Sequence, residues 1–163
     1  TSGGMQTFLT PGDLVIATGA IRDEGTSQQY MPLAFPAVAH IDVVTALREA
    51  ARNLNMRHHL GIIHSKDSFY GQKEPARMPV AEQLQERWRA WIQGGALCSE
   101  MEAATLFVVS SMLGKRASGV MLVASNPGVG RLDDSQRHSN IAERLAPVAV
   151  EALRILIARD RAG

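Results

Sequence analysis

The chain has 163 residues, 45% of them apolar, and its 17 basic and 16 acidic side chains leave a net charge of +1. This size and apolar content suit one domain with its own core, so we expect residues 1–163 to form a single domain. The balanced charge argues against nucleic acid or an anionic membrane as partner. No apolar run approaches the ~20 residues of a membrane span, and the single cysteine, Cys98, cannot form an internal disulfide. These features predict a cytoplasmic protein with a small polar ligand.

The first half of the chain predicts strands separated by a helix and loops. Residues 13–19 are a β-branched apolar run after a Pro-Gly turn, which predicts a buried strand, and residues 20–36 have the composition of a loop. Apolar residues then recur at helical spacing after Asp42, the expected N-cap. Residues 59–65 predict a second strand, and the polar residues 66–79 a loop.

The second half continues this alternation. A helix is predicted from Pro79, and its spacing of apolar residues places Trp88 and Trp91 in the core rather than at a ligand site. We expect strands at 96–99 and 117–125, helices at 100–113 and about 139–159, and a flexible loop at 126–136. Pro147 is expected to kink the last helix. The pattern predicts a layered α/β/α fold with a mostly parallel or mixed central sheet.

Polar segments follow three of the predicted strands, namely DSFYGQ, SEME and VASN. In α/β folds, ligands collect at the carboxyl ends of strands, so these segments are expected to lie together. Phe69 and Gln72 in the first segment combine a flat apolar ring with an amide that both donates and accepts hydrogen bonds. A nucleobase requires both groups, although this loop alone fits a structural role better.

Two carboxylates, Glu100 and Glu102, flank Met101 in the second segment. A carboxylate can accept hydrogen bonds from both hydroxyls of a sugar diol, while a thioether packs against the apolar side of the ring. On a regular helix the two carboxylates would diverge by about 200°, so we favour Glu102 as the sugar ligand. The structural alternative is that Ser99 and Glu102 form a capping box.

The remaining polar features favour a structural interpretation. The loop GVGRLDD contains Gly128, Gly130 and Arg131, but no helix is expected directly after it to bind a phosphate. The five histidines are scattered, and we expect them to be structural or solvated. The sequence contains no zinc or calcium motif, so no metal site is predicted.

The segments GAIRDEGTSQQYMP, SKDSFYGQ and SEMEAATLF together resemble the nucleoside phosphorylase family of trimeric and hexameric enzymes, most closely its members that act on uridine. The resemblance covers nearly the whole chain. It implies the phosphorolysis of uridine or another pyrimidine nucleoside to uracil and ribose 1-phosphate. Inorganic phosphate is then the co-substrate, no other cofactor is needed, and a homohexamer or another homo-oligomer is the expected assembly.

The same resemblance assigns roles to two groups of residues. Phe69 is expected to stack on the pyrimidine, and Gln72 to hydrogen-bond its edge and stabilise negative charge on the departing base. Glu100, Met101 and Glu102 are expected to hold the ribose.

The chain also departs from the family pattern. Thr1 matches a threonine that contacts phosphate and ribose, but the preceding part with the phosphate-binding arginines is absent, so we expect a C-terminal portion that is inactive alone. Lys73 and Glu74 stand where a base-binding arginine is expected, which leaves Arg77 as a possible substitute. Asn126 stands where some purine-specific relatives carry an acid that protonates the base. An amide cannot do so, and a pyrimidine is favoured.

Three alternatives stay open at this point. A nucleosidase of the same fold would use water in place of phosphate. A hydrolase with Thr1 as an N-terminal nucleophile would explain the missing methionine but leaves FYGQ and EME unexplained. A non-catalytic fragment would function only when assembled with another piece.

Overall fold

The structure, a computed structural model, describes residues 1–162, in which strands and helices alternate. The strands are β1 (Ser2–Gly4), β2 (Leu14–Asp23), β3 (Ala37–Val38), β4 (His58–Lys66), β5 (Cys98–Glu100), β6 (Val120–Asn126) and β7 (Gly130–Arg131). The α-helices are α1 (Ile41–Asn53), α2 (Phe69–Lys73), α3 (Ala81–Gln93), α4 (Ala103–Met112), α5 (Asp134–Asn140) and α6 (Ala146–Ala162). A π-helical turn, Ile141–Leu145, joins α5 to α6.

All seven strands belong to one sheet, in the order β3-β2-β4-β5-β1-β6-β7. β2 also pairs with β6, so the strands from β2 to β6 in this order close into a ring. The pairs β2/β4, β4/β5 and β1/β6 are parallel, and the remaining pairs are antiparallel. The predicted α/β fold with a mixed central sheet is confirmed.

The core lies between the sheet and the apolar faces of the helices. Leu14, Ile16 and Ile63 of the strands are fully buried, as is Phe107 of α4. Cys98 is also fully buried, and burial raises the pKa of its thiol to about 12, so this group stays protonated. No helix described within residues 1–162 is long and apolar enough to cross a lipid bilayer.

The predicted start of α1 was wrong by two residues. His40, not Asp42, is the N-cap, and its Nδ1 accepts a hydrogen bond from the Asp42 backbone N–H at 3.3 Å. Asp42 instead lies in the first turn, where a carboxylate also interacts favourably with the helix dipole. Both residues are compatible with a helix start, and the backbone conformation decided between them.

Two of the three segments predicted as loops contain short α-helices. Within residues 66–79, Ser68 caps α2 by accepting a hydrogen bond from the Gly71 N–H at 3.0 Å. Within and after residues 126–136, β6 and β7 form a hairpin and α5 follows, with Asp133 and Gln136 in a capping box. The prediction that no helix follows Arg131 directly was therefore wrong. Local capping side chains offset the weak helical pattern of both segments.

The last predicted helix begins earlier than expected and changes geometry before its proline. The chain is helical from α5 through the π-helical turn into α6, and Pro147 lies in the first turn of α6. A proline lacks an N–H and crowds the preceding turn of a helix. A π-helical turn is wider than an α-helical turn, and one lies directly before α6. This turn is the irregularity that the helix shows near Pro147.

Candidate active site

A cavity of about 650 Å³ is lined by the last residues of β4, β5 and β6. We call it the main cavity. Its wall includes most of the predicted site residues, namely Thr1, Phe69, Gln72, Glu100, Met101, Glu102 and Asn126. The structure therefore brings together side chains that are up to 125 positions apart in the sequence.

Strand register explains this convergence. β4 and β5 run parallel with His64 opposite Ser99, and β1 lies on the other side of β5 with Gly3 opposite Ser99. β1 in turn pairs in parallel with β6. β6 therefore runs antiparallel to β4 and β5, and only the segments after β4 and β5 leave the sheet at a common end. The end of β6 reaches the same cavity because Ser125 pairs with Gly3, which pairs with Ser99 on its other side.

Glu100 is a buried structural anchor at the junction between β5 and α4. Its Oε2 accepts hydrogen bonds from the backbone N–H groups of Glu102 at 2.8 Å and Ala103 at 2.7 Å. Its Oε1 accepts a hydrogen bond from the Ser65 hydroxyl. Glu100 therefore satisfies the first N–H groups of α4, and its carboxylate complements the positive end of the helix dipole.

The predicted capping box of Ser99 and Glu102 was wrong. Ser99 lies in β5, its Oγ points to other partners, and Glu102 is the N-cap residue without a side-chain hydrogen bond into the helix. The Glu102 side chain is exposed, and its Oε2 accepts one hydrogen bond, from the Met101 N–H at 3.2 Å. Because Glu100 caps the helix, Glu102 is the carboxylate that is free to accept hydrogen bonds from a ligand.

A second element of the site is a hydrogen-bond network centred on Ser99. Its Oγ accepts from Lys66 Nζ at 2.7 Å, lies 3.0 Å from His64 Nδ1 and donates to Gln72 Oε1 at 3.1 Å. On its far side, His64 Nε2 lies 2.9 Å from Asp23 Oδ2. Gln72 is therefore connected to polar groups on three strands, which restricts the orientation of its amide.

The two basic groups in this network differ in charge. Burial, with a smaller contribution from Lys66, lowers the pKa of His64 to about 4, so the imidazole is neutral near pH 7. Burial also lowers the pKa of Lys66, but Glu100 and Glu102 favour its charged form and oppose that shift. Glu100 and Glu102 thus act to keep Lys66 charged, whereas burial favours its neutral form.

A smaller cavity of about 250 Å³ adjoins the main cavity, and both are lined by Lys66, Gln72 and Trp88. Trp91 lines the smaller cavity, and its Nε1 donates to Asp23 Oδ2 at 3.4 Å. The prediction that both tryptophans belong to the core was wrong, since α3 has no buried residue. The apolar face of α3 covers a cavity instead of packing into the core.

Comparison with known proteins identifies the family. Residues 1–159 match the family model of the phosphorylase superfamily. The chain belongs to the phosphorylase superfamily. Within the described part of this superfamily member, residues 1–162, no cluster of three metal-ligating side chains occurs.

Several curated relatives are similar over almost the whole chain. Uridine phosphorylase of Treponema pallidum (strain Nichols) is 48% identical over 162 residues, which cover 98% of this chain and 62% of that protein. Uridine phosphorylase of Thermococcus kodakarensis is 38% identical over 172 residues, which cover 100% of this chain and 59% of that protein. Guanosine phosphorylase of Halorubrum lacusprofundi is 32% identical over 157 residues, which cover 96% of this chain and 61% of that protein. The chain spans about three fifths of the length of these relatives.

Two predicted site residues, Arg77 and Asn126, do not have the surroundings expected of substrate-binding residues. Arg77 lies outside both cavities, where its exposed guanidinium pairs with Glu74 at 2.7 Å. Asn126 lines the main cavity, but its Nδ2 donates to the backbone carbonyls of Gln6 at 2.9 Å and Leu9 at 2.7 Å. The structure thus does not bring Arg77 to the site, and it gives the Asn126 amide nitrogen a structural role.

The sequence analysis missed Asp23, His64, Lys66 and Ser99. The histidines had been expected to be structural or solvated, yet His64 belongs to the network beside the cavity. Lys66 and Ser99 both lie within segments quoted for the family resemblance, at the ends of strands. A basic residue that ends a buried strand is a signal that could have identified Lys66, because such a charge is costly without a partner.

Proposed function

We propose that the full-length protein containing this chain cleaves uridine by phosphorolysis, releasing uracil and ribose 1-phosphate. The observation that carries this proposal is that one cavity wall combines Phe69 and Gln72 with Met101 and Glu102. The first pair offers an aromatic face and an amide to a base, and the second a thioether and a free carboxylate to a sugar. The names of two relatives, both uridine phosphorylases, support the same activity.

In the proposed reaction, an oxygen of phosphate forms a bond to the C1′ atom of the ribose on the face opposite the base. The bond between C1′ and N1 of uracil breaks, and its electron pair leaves with the base. The ribose passes through a transition state with oxocarbenium character. Glu102 accepts hydrogen bonds from the ribose hydroxyls, Phe69 packs on the base and Gln72 binds its edge, so the two reacting parts are held in alignment.

The proposal uses inorganic phosphate as co-substrate and needs no other cofactor. Both reactants are small molecules, and we propose Thr1, on the wall of the main cavity, as a contact for phosphate. Assembly into a homohexamer or another homo-oligomer and a cytoplasmic location stay predictions.

The phosphate dependence of the full-length protein tests this function. Incubation with uridine and phosphate is expected to release uracil and ribose 1-phosphate in equal amounts, with no uracil when phosphate is omitted. Release of uracil and free ribose without phosphate would instead identify a nucleosidase. Guanosine should be tested in parallel because one relative is a guanosine phosphorylase. Asn126, which cannot protonate a purine, leads us to expect slower cleavage of guanosine.

Replacement of Gln72 is expected to reduce base selectivity. The Gln72→Ala change should lower kcat/KM for uridine about tenfold to a hundredfold, because the uracil edge then loses its hydrogen bonds to the amide. Inosine, whose base edge differs, should lose less. Gln83→Ala is the matched control, since this glutamine is exposed on α3 and lines neither cavity. Equal losses for uridine and inosine would show that the amide does not read the base.

A further inference from the structure

Lys66 is a buried basic residue whose Nζ contacts no carboxylate of the described residues. Only 8% of its surface is exposed. Its Nζ donates to Ser99 Oγ at 2.7 Å and more weakly to the Glu100 carbonyl oxygen at 3.5 Å. Within residues 1–162, Lys66 forms no salt bridge, since no carboxylate oxygen lies within 4.0 Å of Nζ. Burial of a charge under these conditions is costly, so an anionic ligand group that supplies the missing charge would be bound favourably.

The position of Lys66 indicates which ligand group this is. Lys66 lines both cavities, and Ser99 connects it directly to Gln72, the predicted base-binding residue. Lys66 lies at the end of β4, and Gln72 follows in α2. The ammonium group is therefore on the base side of the site.

We propose that Lys66 contacts the base and stabilises the negative charge that develops on it as the glycosidic bond breaks. This inference rests on the proposed function. The electron pair of the broken bond passes to N1 of uracil and is delocalised onto O2 and O4, which makes the leaving group an anion. The ammonium group keeps its proton and donates a hydrogen bond to a carbonyl oxygen of the base, and this bond strengthens as the charge grows.

The two other cations of the base segment, Arg77 and Lys73, are less suited to this role. Arg77 pairs with Glu74 outside both cavities. Lys73 is exposed, and its Nζ lies 5.3 Å from the centre of the Phe69 ring. Solvent screens an exposed charge, whereas the effect of a buried charge on a bound ligand is stronger.

The network also holds Lys66 in place. Ser99 accepts from its Nζ, and His64 lies on the opposite side of Ser99 with Asp23 behind it. A neutral His64 does not repel the ammonium group, and it takes part in fixing the serine hydroxyl. The charge of Lys66 is therefore preorganised before the base departs, which is the arrangement that stabilises a transition state most effectively.

The leaving-group dependence of the full-length protein tests this inference. The Lys66→Met variant is compared with wild type on uridine and on 5-fluorouridine, whose electron-withdrawing fluorine makes the base a better leaving group. We expect kcat for uridine to fall about a hundredfold to a thousandfold, and kcat for 5-fluorouridine to fall at least about tenfold less. KM should change little. Lys115→Met is the control, because Lys115 is exposed and lines neither cavity.

A second variant keeps the test decisive if Lys66→Met does not fold. Lys66→Gln retains a hydrogen-bond donor for Ser99 but lacks the charge, and it should show the same difference between the two substrates. Equal losses for uridine and 5-fluorouridine in a folded variant would overturn the role of Lys66 alone. A wild-type protein that cleaves neither nucleoside with phosphate would overturn the proposed function, and this inference with it.

Discussion

Replacement of Glu100 by alanine is expected to lower the free energy of unfolding by about 3 kcal/mol or more and to remove most activity. The carboxylate is only 6% exposed and accepts hydrogen bonds from Ser65, Glu102 and Ala103. Each buried donor left without an acceptor costs about 1 to 3 kcal/mol, and α4 also loses a negative charge at its N-terminus. The segment that carries Met101 and Glu102 would then lose its fixed position.

The change Glu102→Gln is expected to leave the stability almost unchanged and to lower the activity. The Glu102 side chain is exposed and makes no hydrogen bond into α4, so the unfolding free energy should change by less than about 0.5 kcal/mol. The variant loses a charge-assisted hydrogen bond to the ribose, worth about 1.5 to 3 kcal/mol, and kcat/KM should fall about tenfold to more than a hundredfold.

Denaturant unfolding and steady-state kinetics of the full-length protein separate the two roles. Glu86→Gln, on the exposed surface of α3, serves as the control for a change of charge outside the cavities. An unchanged kcat/KM in Glu102→Gln would remove Glu102 from the sugar site. A Glu100→Ala variant as stable as wild type would contradict the anchor role that its three hydrogen bonds indicate.

The sequence was sufficient for the main elements and for the edge of the sheet where the site forms. Apolar runs predicted β2, β4 and β6, and the order of strands and helices predicted the α/β class. Because segments after parallel strands leave the sheet at one edge, the convergence of Phe69 and Glu102 followed from that order. Asn126 joins them for a reason that the order does not contain, since β6 is antiparallel to β4 and β5 and reaches the cavity through its pairing with β1. The family resemblance then assigned roles to these residues.

The sequence was not sufficient for the buried network. His64 meets Asp23 and Ser99 only because β4 pairs with β2 on one side and β5 on the other, in one particular register. A shift of that register by one residue would turn these side chains to the opposite face. Periodicity likewise could not show whether Trp88 faces the core or a cavity, because both environments require an apolar helix face.

A local sequence motif also led to a wrong prediction for the N-terminus of α4. Ser99 and Glu102 have the spacing of a capping box, but the hydrogen bonds of β5 extend through Glu100 and keep Ser99 in the strand. The serine hydroxyl is then directed to Lys66 and Gln72. The same three-residue spacing is compatible with either arrangement, and strand pairing decides between them.

The isolated 163-residue chain is expected to show no measurable phosphorolysis, whereas the full-length protein is expected to be active. Phosphate carries up to two negative charges, and its burial requires several cationic or N–H partners to offset the loss of hydration. Thr1 offers one neutral hydroxyl. Of the cations on the wall of the main cavity, Lys66 lies on the base side, Lys73 and Arg131 are exposed, and Arg137 pairs with Asp134 at 3.0 Å.

The relatives extend well beyond the matched region, since this chain covers 59% to 62% of their length. We therefore expect the rest of the full-length protein to complete the phosphate site. Adding that remaining part as a separate polypeptide should restore at least part of the release of uracil from uridine.

The measurement compares the purified chain, the chain with the added part, and the full-length protein at equal concentrations with uridine and phosphate. Circular dichroism of the isolated chain establishes that it is folded, so that loss of activity reflects a missing site rather than a missing fold. Sustained formation of ribose 1-phosphate by the folded chain alone would contradict the prediction. The phosphate would then have to bind within these residues, and Arg131→Ala would identify its ligand, because this exposed guanidinium on the cavity wall forms no ion pair within residues 1–162.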